Sequence, residues 1–134
     1  MCDFSYGNEA EINLLKDIKT FTSDKLKRCE DKYSLVDYEC DEYIVELKTR
    51  RCSSRAYPDT MIGANKIKYM LKDDREAIAI FNFKDGTYYI DINKENVAKF
   101  RYDDGGRCDR GRVETSKYYY VPYTLLENLY EQPL

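Results

Sequence analysis

The chain has 134 residues, a formal net charge of −3, five cysteines and no histidine, a length expected of one domain spanning residues 1–134 with an ordinary core. That charge excludes a protein that coats a polyanion by bulk attraction, so such a partner has to be held by local patches. The missing histidine excludes imidazole-based catalytic triads, and scattered cysteines without a CxxC pair argue against a zinc site or disulfide framework, and for a reducing, cytoplasmic setting.

In chain order, the opening MCDFSYGNEAE is too polar for a signal peptide, and no apolar run reaches the roughly 18 residues of a membrane span, so no membrane partner is expected. Ile12, Leu15, Ile18 and Phe21 recur at helical spacing. They predict a first helix from about Asn8 to Cys29, with a break near Thr22-Ser23. Its acids come early (Glu9, Glu11) and its bases late (Lys25, Lys27, Arg28), as the helix dipole favours. Tyr33–Glu39 and Glu42–Thr49 are rich in β-formers and read as a hairpin turning at Cys40-Asp41. After polar RRCSSRAYPD, the stretch MIGANKIKYMLK reads as an amphipathic helix capped by Asp59 or Thr60. REAIAIFNF and TYYIDI read as strands joined at Lys84-Asp85-Gly86. KFRYDDGGRCDRGRVETSK reads as a short strand entering a glycine- and arginine-rich loop. KYYYVPYTLLENLY reads as a strand, a break at Pro122 and a short helix. This alternation predicts an α/β (α+β) sandwich around one sheet.

The chemistry concentrates at the end of the hairpin. Strand periodicity puts Glu46 and Lys48 on one face and Val45 and Leu47 on the other. Ile44 and Val45 are apolar on both faces, which marks a central strand. Glu46 is then buried and needs a partner, since an unpaired buried carboxylate is costly. An exposed face with an incidental ion pair, worth only about 0–1 kcal/mol, fits that pattern poorly. Asp37, on the partner strand, can approach the pair. Two carboxylates with an ammonium suit a hard divalent cation, which takes one or two carboxylates and keeps waters. The Leu47 carbonyl is a further candidate ligand, and a lysine in such surroundings can orient or deprotonate a water.

Asp37 followed by Glu46-Leu47-Lys48 resembles the D…(D/E)xK signature of the PD-(D/E)XK nuclease superfamily, over roughly Asn8 to Ile92. The resemblance implies a restriction-endonuclease-like core: a central mixed β-sheet flanked by helices, in the order α-β-β-(β)-α-β-β. The sequence reads one strand short of that core before Asp37, unless a brief strand lies near Glu30–Lys32. The resemblance also implies Mg²⁺, with Mn²⁺ able to substitute, held by Asp37 and Glu46, and Lys48 positioning the attacking water. A first-helix glutamate, Glu11 or less favourably Glu9, would complete the site through a water. A second-helix polar residue, Lys66 with Asn65 behind it, would stand beside it. The first acid has competitors in Asp41 and Glu39.

Two basic patches bear on the partner. Between Leu47 and Pro58 there is no acid, while Lys48, Arg50, Arg51 and Arg55 all occur, placing phosphate-binding charge at the mouth of the site. Arg101, Arg107, Arg110 and Arg112 form a second cluster, partly cancelled by Asp103, Asp104 and Asp109. Arg50, Arg51, Arg55, Arg107 and Arg110 are the expected nucleic-acid contacts. The fourteen tyrosines read as core and sheet-surface residues standing in for absent tryptophan. The expected function is a metal-dependent DNA endonuclease of resolvase-like, nicking or small-phage type, acting as a homodimer or higher oligomer. The competing reading is a non-cleaving nucleic-acid-binding or assembly module with the same fold.

Overall fold

The computed structural model describes residues 13–31, 34–105 and 116–130. Residues 13–21 form helix α1, which is held to the sheet by Leu14 and Ile18. The helix ends at the break expected near Thr22-Ser23 and does not resume toward Cys29. Thr22 sends both its backbone N–H and its hydroxyl to the Ile18 carbonyl, and the Ser23 hydroxyl accepts the Lys25 N–H while the Ser23 carbonyl accepts that of Leu26. Such local side-chain bonds compete with helix continuation. Buried Leu26 then leads into β1 (Lys27–Arg28), a strand a few residues earlier than the Glu30–Lys32 position left open by the sequence.

β1 pairs with β2 (Tyr38–Glu39), and β2 with β3 (Tyr43–Thr49), both antiparallel. The hairpin turn lies where sequence puts it, closed by Cys40 N–H donating to the Tyr43 carbonyl. β3 then runs parallel to β5 (Glu76–Phe83), from Tyr43 opposite Glu76 to Thr49 opposite Asn82. Parallel neighbours require a crossover. Here it contains β4 (Asp59–Gly63) and α2 (Ala64–Lys72). β5 turns at Asp85-Gly86 into β6 (Gly86–Asp91), where Gly86 has φ 156°. A short helix α3 (Lys94–Val97) precedes β7 (Arg101–Gly105), followed by β8 (Ser116–Pro122) and β9 (Glu127–Asn128).

The strands make two sheets, where sequence suggested one: a mixed six-stranded sheet ordered β1-β2-β3-β5-β6-β9, and a three-stranded sheet ordered β4-β8-β7. Asp59 and Thr60, read as helix caps, belong to β4. Ile62 is buried there and pairs with Tyr119, so strand pairing outcompetes an earlier helix start. The predicted C-terminal helix is only a 3-10 turn (Tyr123–Leu125) before β9 pairs with β6.

Strand alternation divides the core. Ala77, Ala79, Phe81 and Phe83 of β5 join Ile44, Ile62, Ile67, Met70 and Val121 under α2 and the small sheet. Ile78 and Ile80 face the other way, with Val45, Leu14 and Ile18 under α1. Each fully buried aliphatic contributes about 1.5–3 kcal/mol, so both faces of the β3–β5 centre are fixed by packing. Glu46, two residues beyond Ile44, thereby faces α2.

Candidate active site

Glu46 is 1% exposed, in a strand with neighbours on both sides. Two ammonium groups reach its Oε1: Lys66 Nζ from α2 at 3.1 Å and Lys48 Nζ from its own strand at 3.5 Å. Its Oε2 is buried and has no hydrogen-bond donor among the described residues. Asp37 lies just before β2, and continuing the β2–β3 register puts it opposite Glu46. Its Oδ2 accepts the Leu47 backbone N–H at 2.8 Å, which fixes the carboxylate at this end of the strand pair.

The electrostatics follow from that crowding. Burial, and then the Asp37 carboxylate, push the Glu46 pKa up to about 7, despite the opposing pull of Lys66 and Lys48. Lys48 is pushed down from its ordinary value, first by burial and then by Lys66. Buried charges of one sign beside charges of the other, with shifted protonation, are the arrangement enzymes use to hold and move protons.

Geometry thus brings Asp37, Glu46, Leu47, Lys48 and Lys66 together. The competing acids lie elsewhere: Asp41 is exposed in the hairpin turn, and Glu39 accepts the Cys29 thiol. Asn65 is exposed and accepts the Lys66 backbone N–H. Glu9, Glu11, Arg107, Arg110 and Arg112 lie outside the described residues. Arg51 and Arg55 are exposed, whereas Arg50 is half-buried and tied to β4 through Thr60 Oγ1 at 3.3 Å and the Met61 carbonyl at 2.6 Å. Arg101 belongs to β7 and pairs with Asp59 and Asp103.

Sequence reasoning missed how the basic loop is pinned. Asp85 accepts the Ser54 N–H at 2.7 Å and the Ser54 hydroxyl at 2.6 Å. The Asp-Gly pair signalled a turn, but nothing nearby in sequence pointed the aspartate at a residue 31 positions away. Replacing Asp85 with alanine should free the segment from Arg51 to Arg55, read as several-fold faster tryptic cleavage at those arginines with little change in global melting.

Among the described residues no group of three or more histidine, cysteine or acidic side chains gathers at one point. Asp37 and Glu46 nevertheless fit a hard divalent cation: both are oxygen donors, the Asp37 charge bears on Glu46, and Glu46 Oε2 is a buried acceptor with no donor among the described residues. A hairpin carrying Asp37 and Glu46-Leu47-Lys48, a parallel strand beside it and a helix lysine over the acid define a restriction-endonuclease-like nuclease core.

The family model described as "Phage putative PDDEXK endonuclease" matches residues 5–128, and the chain belongs to that PD-(D/E)XK family. No curated protein matches the chain, and no solved structure matches it.

Proposed function

We propose that this single-domain protein is a Mg²⁺-dependent deoxyribonuclease, with Mn²⁺ as a substitute, that hydrolyses phosphodiester bonds at Asp37, Glu46 and Lys48. The observation that carries this reading is the buried Glu46 carboxylate, with one oxygen met by two lysines and the other without a hydrogen-bond donor among the described residues, beside the Asp37 carboxylate. Asp37, Glu46 and the Leu47 carbonyl would hold the cation, with Glu11 contributing through a water. When bound, the cation supplies a Lewis acid against the charge that builds on the phosphate.

The chain's own groups do the remaining work. Lys48, with its depressed pKa, can take up the proton of the attacking water within the site. Lys66 neutralises Glu46 Oε1 and stands beside the developing phosphate charge. Asp37, held by the Leu47 N–H, keeps its carboxylate in place without rearrangement. Attack by water on phosphorus breaks the bond to the 3′ oxygen, which takes a proton from solvent, and leaves a 5′-phosphate and a 3′-hydroxyl. Arg51 and Arg55 offer exposed charge to the DNA backbone at the exit of β3. A homodimer fits cutting of two strands, and free Cys29, Cys40 and Cys52 fit a reducing intracellular setting.

No helix among the described residues is long and apolar enough to cross a membrane. The test presents the protein with supercoiled plasmid, single strands and a four-way junction, in Mg²⁺, Mn²⁺ or EDTA. Metal-dependent cleavage leaving ligatable 5′-phosphates is expected. Tight binding without cutting would favour a non-cleaving nucleic-acid-binding module instead.

A further inference from the structure

Beyond Lys48 the chain builds a groove of about 370 Å³, lined by Arg50, Ser53, Tyr57, Thr60, Met61 and Tyr120 among others. That volume is at the small end of ligand-sized clefts, enough for one nucleoside and too little for a folded partner. Tyr57 and Met61, 65% and 37% exposed, are two of the four exposed large hydrophobic side chains among the described residues. Their meeting at one groove marks a contact surface, as scattered apolar residues do not.

Arg50 gives the groove its charge. It spends two donors on β4, and no carboxylate forms an ion pair with it among the described residues. A guanidinium has five N–H donors, so Arg50 keeps donors to spare beside the groove. The acid that lines the groove, Asp59, is engaged by Arg101 at 3.5 Å, whose guanidinium lies 4.0 Å over the Tyr120 ring. What remains is the exposed apolar surface of Tyr57 and Met61, a cation with free donors and two hydroxyls, Ser53 and Thr60. Arg50 also follows Lys48 by two residues, about 7 Å along an extended strand. An occupant of the groove is therefore within reach of a phosphate at the site.

We propose that the groove holds one unstacked nucleobase of the DNA strand being cut, its face on Tyr57 and Met61 and its acceptor edge on Arg50. This rests on the nuclease reading of the neighbouring site. Base edges carry the carbonyl and ring-nitrogen acceptors that an arginine recognises, and every base offers a face to an aromatic ring. A base reaches such a groove only by leaving the duplex stack, so the protein selects single-stranded or locally unpaired DNA at the cut.

The test uses the full chain in EDTA and a single-stranded oligonucleotide carrying one 2-aminopurine, reading its emission on binding. Tyr57→Ala is expected to weaken binding about 10-fold, in the range lost with one base–aromatic stack, and to remove the emission change. Tyr57→Phe should restore both, and Tyr130→Ala, at an exposed tyrosine elsewhere, should leave both intact. A matched duplex should bind more weakly than the single strand. Wild-type affinity and emission in Tyr57→Ala would overturn the groove, even with cleavage fully active. A Tyr57-dependent emission change in a protein that cuts nothing in Mg²⁺ would uphold the groove and overturn only the nuclease reading.

Discussion

Replacing Glu46 with glutamine is expected to make the metal-free protein more stable above pH 7 while removing its cleavage activity. The folded-state pKa of Glu46 is raised from 4.5 to about 7, so the folded state holds this proton more tightly than the unfolded chain does. Stability from this group is complete below about pH 4.5 and is lost progressively as pH rises through about 7, then stays level. Glutamine has no such loss. The difference between variant and wild type in EDTA should be under about 1 kcal/mol at pH 5 and grow to about 3 kcal/mol by pH 8. Divalent cation should reverse the order, because it stabilises only a protein that binds it. Wild type should therefore gain in melting temperature on adding Mn²⁺, and Glu46→Gln should not. Cleavage should fall by at least about 10³-fold, the scale of several kcal/mol of lost charge stabilisation. A variant less stable than wild type at pH 8 would mean that the two lysines, not burial, decide the state of Glu46.

Lys48→Ala carries the second large effect. Removing a group that transfers a proton in the transition state costs about 10²–10⁴-fold in rate. Lys48→Arg separates the possible roles, since arginine keeps the charge but does not give up its proton near neutral pH. An arginine variant as slow as alanine identifies proton transfer, and recovery identifies charge alone. In wild type the rate should rise with pH through a limb below the ordinary lysine value, because burial and Lys66 depress Lys48. That limb should vanish in Lys48→Arg.

The part of the fold that was legible in sequence is the part written in period-two alternation. Ile44, Glu46 and Lys48 against Val45 and Leu47 gave the faces of β3, and the apolar run of β5 gave its central neighbour. The paired acids and lysine of the site followed from those faces. Three features were not legible because they depend on distant partners. β1 is a strand because Lys27 and Arg28 lie beside Glu39 and Tyr38, whereas locally they look like the basic end of a helix. β4 is a strand because β8 pairs with it, whereas Asp59 and Thr60 alone look like caps. Arg50 read as a DNA contact on charge, and only the fold shows that Thr60 and Met61 anchor it. Lys66 was reachable by resemblance but not by periodicity, since its reach to Glu46 depends on how α2 crosses the sheet.

The central claim is that Asp37, Glu46 and Lys48 form a metal-dependent phosphodiesterase site. Its most direct measurement is relaxation of a supercoiled plasmid by the purified full chain in Mg²⁺ and in EDTA, with Glu46→Gln and Lys48→Ala in parallel. Nicking by wild type in Mg²⁺, absent in EDTA and reduced at least about 10²-fold in both variants, is the predicted result. Cleavage that persists in EDTA, or that both variants retain at the wild-type rate, would contradict it.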